Sequence, residues 1–518
     1  MKTRPLPATL ARFSPLLALA AGALTVLAFA PFGLWPLQIA SLAFLFWLVL
    51  RQSSIKRSVL IGWAFGFGWM ACGVYWLYIS MHRYGGLPSL MAVTAVALLA
   101  ALLGAFTALA TGSATWFRQR STASDSVFLL AIFPALWTLG EWLRGWVFTG
   151  FPWLASGYAH TAGPLAGYAP VAGVYGLAWI AALIAGCLVL LRSGKLPPAL
   201  AVLLLAAGLG LKNIDWTSAS GQPITVRLLQ GNVAQEMKFA PDQTHNTLAL
   251  YHDMIRATPA DLIATPETAL PLFVHQLPPD YLERLSDFSS QSNSHIALGI
   301  PLSDGPAHYA NSVIGFSPAS AATAKLYRYD KHHLVPFGEF IPTGARWFVN
   351  MMNIPLGDFT RGPLLQAPLA VKDQWVMPNI CYEDLFGEEI ADQLAASYFS
   401  GRPQATILLN MSNIGWFGDS LALPQHLQIS QMRALETGRP MLRATNTGTT
   451  AVINPKGEVV AQLPPFTRGV LSATVQGTTG WTPYIIFGNT LIVILAFLTL
   501  GAVGLWFRKR RHEPTDPS

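Results

Sequence analysis

Three side chains in the second half of this 518-residue chain are of types that do covalent chemistry together: Glu267, Lys331 and Cys381. A thiol works as a nucleophile at neutral pH when a base takes its proton and a cation shares the charge that follows. Cys381 ends the apolar run 375–380 and stands directly before Tyr382-Glu383-Asp384. A strand that ends in a nucleophile at a sharp turn exposes the reactive atom and aims the next backbone N–H at an oxyanion. On position alone, the other reading is a buried structural cysteine, common for this residue type. Glu267 follows the apolar run 262–265, and Lys331 follows another extended stretch in a segment that also holds Glu339. Taken singly, Glu267 reads as a solvated acid and Lys331 as a surface cation. If their strands are neighbours, all three meet at one edge of a sheet.

These residues lie in a part of the chain unlike the rest. Overall, 52% of residues are hydrophobic and 11% charged, against roughly 25% charged in average soluble domains. The mean hydropathy is +0.40, which excludes a disordered chain and an ordinary soluble protein. Of the 26 acidic residues, only Asp125 and Glu141 precede residue 213. That first part reads as apolar runs, each near the ~20 residues that cross a bilayer. They fall at 13–30, 34–50, 59–79, 90–111, 127–147, 171–191 and 197–211, and an eighth run stands at 485–507.

Basic residues orient these runs. Lys2, Arg4 and Arg12, then Arg51, Lys56 and Arg57, then Arg118 and Arg120, then Arg192 and Lys195, and finally the tail 508–511 all fall on one side of an alternating chain. The positive-inside rule makes that side cytoplasmic. The net charge of +7 thus records topology rather than nucleic-acid binding. The expected organisation is a seven-span bundle over 1–212, an extracytoplasmic catalytic domain over 213–484, an eighth span over 485–507 and a cytoplasmic basic tail over 508–518. The first span has a basic start and small residues near Ala28, as a signal peptide does. A further long apolar run follows at once, so an uncleaved anchor is expected.

Between the seventh and eighth runs, apolar stretches at 224–229, 262–265, 295–300, 312–316, 375–380, 405–410, 441–444 and 450–453 read as strands. Helical patterns at 244–257 and 425–437 lie between them. Most of these stretches are too continuous for a sheet wet on one face, which argues an α/β layered domain. Cys72 and Cys187 fall inside apolar runs, so Cys381 is the one thiol of this domain and has no local disulfide partner.

Taken together, the order Glu267, Lys331, Cys381 resembles the nitrilase superfamily. The words Pro266-Glu267, Lys331-x-x-Leu334-Val335-Pro336-Phe337-Gly338-Glu339 and Cys381-Tyr382-Glu383 carry the match. With seven spans before and one after, nearly the whole chain is similar to the bacterial apolipoprotein N-acyltransferases. Phe151-Pro152-Trp153, Gln230-Gly231-Asn232, and the stretch from Gln425-His426 to Thr445-Asn446 also resemble that family's signatures.

The resemblance implies an αββα sandwich joined to a membrane α-helical bundle of about eight spans. It also implies an acyl transfer without cofactor or metal, in which Cys381 takes an acyl chain from a membrane phospholipid as a thioester. The amine of a diacylated apolipoprotein cysteine then accepts the chain. Glu267 would be the general base, and Lys331 with the Tyr382 backbone N–H would stabilise the oxyanion. Glu339 and Glu383 would be supporting acids, and Phe239, Trp153 and Trp416 lipid contacts. The protein would be a monomer of the bacterial inner membrane, with its catalytic domain in the periplasm and both termini cytoplasmic. From the same superfamily, a membrane-tethered amidase is the other function to weigh. Phe239 stands where the family often has Trp, and Ile414 where many relatives have Asp.

His332 and His333 are adjacent and so point apart on an extended chain, a poor arrangement for a shared metal. Glu141 and Arg144 share a helix face inside a span, where an ion pair is expected. The loops 347–356 and 416–423 are apolar enough to lie on a membrane as lids.

Overall fold

The computed structural model describes residues 7–121, 123–238, 241–305, 308–323, 325–344, 346–349 and 358–512. Two compact units emerge: 1–75 with 90–215 and 487–518, and 76–89 with 216–486.

The first unit is helical, and most of each of the eight apolar runs is helical, with breaks inside 59–79 and 485–507. Among the described residues, five helical stretches are long and apolar enough to cross a membrane: Leu10–Ala28, Ser89–Ser121, Asp125–Arg144, Pro164–Val189 and Thr490–Arg508. A sixth is added if the broken pair Ile55–Gly73 and Leu77–Tyr84 is one span. The expected eight full spans therefore reduce to five or six by length. Trp35–Leu50 and Leu196–Leu211 have 16 residues each, about 24 Å of helix against a hydrocarbon core of ~30 Å. Proline in the first turn starts both, and Arg51 and Lys212 end them. Glu141 and Arg144 face each other at 3.8 Å. The Glu141 carboxylate also accepts from the Ser156 N–H (2.9 Å) and hydroxyl (2.6 Å), while Arg144 donates to the carbonyls of Phe151 (2.8 Å) and Trp153 (2.7 Å). Both side chains are buried, where an unpaired charge would be costly.

The second unit is built on two six-stranded sheets. One runs, edge to edge, Gly469–Val475, Ile224–Gln230, Leu262–Ala264, His295–Gly305, His308–Phe316, Tyr327–Asp330. The other runs Val459–Gln462, Ala451–Ile453, Met441–Thr445, Ile407–Ser412, Gln374–Ile380, Leu369–Val371. In each, three central strands are parallel and the flanking strands antiparallel.

Side chains alternate between the two faces of a strand, and here both faces are dry. In Ile407–Ser412, Ile407, Leu409 and Met411 enter the core between the sheets, with Val226, Leu228, Val313 and Ile380. Leu408 points the other way, into a cluster with Ile390 and Leu394 of the helix Gly387–Ser400. On the far side, Ile263, Ile296 and Leu298 pack against Leu248, Tyr251 and Ile255 of Pro241–Arg256 and Leu285 of Tyr281–Ser292. Helix, sheet, sheet and helix make four layers. Full burial of a Leu or Ile side chain contributes roughly 1.5–3 kcal/mol, so these alternating rows hold the sheets in register.

The second unit includes 76–89. The predicted continuous span 59–79 breaks after Gly73, where Val74 leaves helical geometry. Trp76 then donates its indole N–H to Gln425 Oε1 (3.2 Å) and packs on Phe417 at 4.4 Å between ring centroids. Arg83 pairs with Glu236 at 2.9 Å, and Tyr84 meets Trp416 edge-on at 5.9 Å.

Candidate active site

Glu267, Lys331 and Cys381 do come together, though not on neighbouring strands. Glu267 follows Leu262–Ala264 in the first sheet, and Lys331 follows that sheet's edge strand Tyr327–Asp330. Cys381 follows Gln374–Ile380 in the other sheet. The sheets face each other, and all three strands deliver their carboxyl ends to one rim, the usual place for sites in open α/β sheets.

The loop carrying Glu267 is seated by close packing. Gly299 lies directly beneath it: a Cβ there would stand 2.2 Å from the Pro266 carbonyl oxygen. The Gly299 N–H donates to Thr265 Oγ1 (3.0 Å), tying the two strand ends together. Lys331 extends the ladder by donating its N–H to the Asn311 carbonyl (2.8 Å).

Every carboxylate oxygen here has a partner. The Lys331 ammonium donates to Glu267 Oε1 (3.1 Å) and to Glu339 Oε1 (2.9 Å). Asn311 Nδ2 bridges the same two oxygens at 2.7 and 2.8 Å. Glu267 Oε2 accepts from the Asn413 N–H (2.9 Å), and Glu339 Oε2 from the Val335 N–H (2.8 Å). Lys331 is fully buried. Burial alone would lower its pKa, but Glu267 and Glu339 outweigh this and raise it. Burial alone would raise Glu267, but Lys331 and Lys238, with the Asn311 hydrogen bond, hold it below its ordinary value. Cys381 is pushed up by burial and then by Glu267, with Lys331 opposing. The resting site is therefore carboxylate, ammonium and neutral thiol. For Cys381 to act as a nucleophile its proton would have to leave, and Glu267 is the carboxylate that bears most strongly on it.

Cys381 occupies a strained elbow at φ 51°, a region that a non-glycine residue adopts only when its surroundings hold it there. Its carbonyl accepts from His426 Nε2 (3.2 Å) and Asn410 Nδ2 (3.3 Å). Arg443 Nη2 lies 3.0 Å from His426 Nδ1. A guanidinium can only donate, so Nδ1 accepts and the imidazole proton sits on Nε2, facing Cys381. Glu383 fastens the elbow from the other side. Its Oε2 accepts from the Ile380 N–H (2.5 Å) and the Tyr329 hydroxyl (3.0 Å), and its Oε1 from the His332 and His333 N–H groups (2.6 and 3.3 Å). Burial pushes its pKa up to about 7 against those donors. Glu383 thus grips the backbone on both sides of the site, whereas Glu339 touches Lys331 itself.

Of the expected lipid contacts, Phe239 lies outside the described residues, as does most of the loop 347–356. Trp416 is half-buried against Tyr84. Trp153 belongs to the helical unit and is buried there, its carbonyl held by Arg144. His332 and His333 turn Nδ1 to different partners, the Gly362 carbonyl and Glu389 (2.7 Å each). Asn311, Asn413 and Lys238 were not singled out from sequence. An amide within the largely buried strand His308–Phe316 is the one signal Asn311 offers.

A thiol, a carboxylate and an ammonium on a four-layer αββα scaffold define a class, that of the carbon-nitrogen hydrolases. Residues 225–484 match the carbon-nitrogen hydrolase family, and residues 21–187 match the apolipoprotein N-acyltransferase N-terminal domain. The chain is 49% identical over 499 residues to an apolipoprotein N-acyltransferase of Ralstonia nicotianae, covering 94% of this chain and 93% of that one. It is 44% identical over 501 residues to the same-named protein of Nitrosomonas europaea, covering 95% and 97%. An amidase from Nesterenkonia sp. aligns with a TM-score of 0.36 at 17% identity, over 50% of this chain and 92% of that one. The chain belongs to the apolipoprotein N-acyltransferase family and is a membrane-associated acyltransferase.

Proposed function

We propose that the enzyme moves a fatty acyl chain from a membrane phospholipid to the N-terminal amine of a diacylated apolipoprotein cysteine, through a thioester on Cys381. The observation that carries this reading is the buried Lys331 ammonium shared between Glu267 and Glu339 beside the strained Cys381 elbow.

In the first half, Glu267 takes the thiol proton as sulfur bonds to the ester carbonyl carbon. The Lys331 ammonium and the Tyr382 N–H receive the oxyanion. Collapse breaks the ester C–O bond, and the proton held by Glu267 passes to the departing lysophospholipid hydroxyl. In the second half, the acceptor amine attacks the thioester and gives its proton to Glu267. The C–S bond then breaks, and the thiolate is reprotonated as the amide leaves. One ester and one amine become one amide and one alcohol, and no redox partner is required. Splitting the exchange through a thioester replaces one difficult step by two easier ones.

The basic loops support eight membrane crossings, the short helices at 35–50 and 196–211 included. On that reading both termini are cytoplasmic and the catalytic domain lies in the periplasm of a bacterial inner-membrane enzyme. Labelled phospholipid supplied to the purified protein should leave a covalent acyl group on wild type and none on Cys381→Ser. With a diacylated lipopeptide added, the product mass should rise by one acyl chain. Label on the Ser variant would refute the nucleophile, and release of free fatty acid alone would favour a hydrolase or amidase.

A further inference from the structure

A second lysine is sealed into the same site. Lys238 is 3% exposed, and its ammonium donates to the main-chain carbonyl of Glu267 at 3.1 Å. The segment before it is fastened to the site. Gln235 accepts from Asn413 Nδ2 (2.9 Å), and Asn446 Nδ2 donates to the Val233 carbonyl (2.8 Å) and to Asn413 Oδ1 (3.1 Å). Asn413 is the residue whose N–H holds Glu267 Oε2. Among the described residues the Lys238 ammonium makes one hydrogen bond, although it has three donors.

The charges then balance. Two buried carboxylates, Glu267 and Glu339, face two buried ammonium groups, Lys331 and Lys238. Lys331 is spent on both carboxylates through direct contacts. When Glu267 takes the thiol proton, negative charge moves to sulfur and then to the acyl oxygen. Without Lys238 this buried site would carry a net negative charge before that movement began, and uncompensated charge in a low-dielectric interior is expensive.

We propose that Lys238 is a positioning residue that balances charge for Cys381, stabilising the negative charge as it passes from Glu267 to sulfur. Burial lowers Lys238 to about 8 even against the upward pull of Glu267 and Cys381, which leaves it mostly charged at neutral pH. The other charged and titratable groups bearing on the sulfur are Glu267, Glu339, Lys331 and Arg443, with neutral His426 on the Cys381 carbonyl. The proposal rests on the acyl-thioester reading, but its test separates the two.

Iodoacetamide alkylation of Cys381, followed by peptide mass across a pH series, needs no lipid. Lys238→Met and Lys238→Gln should displace the rise in alkylation to higher pH by about one unit, so that the rate at neutral pH falls about tenfold. Both should slow acyl-enzyme formation from labelled phospholipid, and Lys238→Arg should recover much of both losses. An unchanged alkylation profile in a folded neutral variant would overturn the proposal, even if acylation slowed, because that pattern marks a structural role. So would an Arg variant as impaired as the neutral ones. Failure of wild type to form an acyl-enzyme would instead defeat the proposed function, leaving the alkylation result to stand or fall alone.

Discussion

At the scale of single residues, the site does not store a thiolate. A thiol raised by burial and by Glu267 stays protonated at neutral pH, and its thiolate fraction grows only as pH climbs through that raised value. Alkylation of Cys381 in the free wild-type enzyme should therefore still be rising in mildly alkaline solution, above the ordinary thiol range of about 8.5. A plateau reached on the acid side of neutrality would mean a preformed thiolate and would remove Glu267 from its role as base. The three residues were legible because Glu267 and Cys381 follow apolar runs, Lys331 follows an extended stretch, and their order resembles a known family. Asn311, Asn413 and Lys238 were not. An asparagine or lysine is ordinary anywhere in a sequence, and only the fold shows that these amides and this ammonium face buried carboxylates. Glu383 was anticipated as a supporting acid, but its grip on four donors from two segments, 329–333 and 380, depends on which parts of the chain meet, which no single stretch encodes.

At the scale of elements, legibility follows burial. Central strands such as Ile407–Ser412 are buried at every position and read as continuous apolar runs. The edge strands Val459–Gln462 and Gly469–Val475 are half exposed and alternate weakly, so nothing in their composition separates them from loops. The same limit hid the break after Gly73. The residues beyond it stay apolar, and only contacts with Phe417 and Gln425 show why the chain leaves the helix there. Gly299 makes the link from packing to catalysis testable. A methyl group at that position would collide with the Pro266 carbonyl, and the Glu267 loop must move to admit it. Gly299→Ala should cost about 1–3 kcal/mol of stability, as overpacking does. A displacement of even 1 Å should lower turnover by about a hundredfold. Turnover measured together with thermal unfolding decides the point: wild-type values for both would show that the loop is not pinned by Gly299.

At the scale of the whole molecule, the near-absence of acids before residue 213 has a physical meaning that the fold sharpens. Before residue 213 there are two acids, and both are engaged: Glu141 with Arg144 and Ser156, and Asp125 with Arg118 at 2.6 Å. Basic loops must then set the direction of the helical unit: every basic cluster falls on one side, and the other carries little beyond Arg83 and Lys212. The consequence can be checked in cells. In a background with Cys72, Cys187 and Cys381 replaced by Ala, Lys456→Cys lies on an exposed turn of the catalytic domain and Arg192→Cys on an exposed loop after Pro164–Val189. A membrane-impermeant maleimide applied to intact spheroplasts should label Lys456→Cys and spare Arg192→Cys until the membrane is opened. Labelling at Arg192→Cys alone would invert the topology. It would also count against the proposed function, which needs Cys381 and the acceptor amine on the periplasmic side. Labelling of both before permeabilisation would mean that the chain does not cross between residues 192 and 456 as its basic loops require, and the short helix Leu196–Leu211 that lies between them would be a segment that enters the bilayer without crossing it.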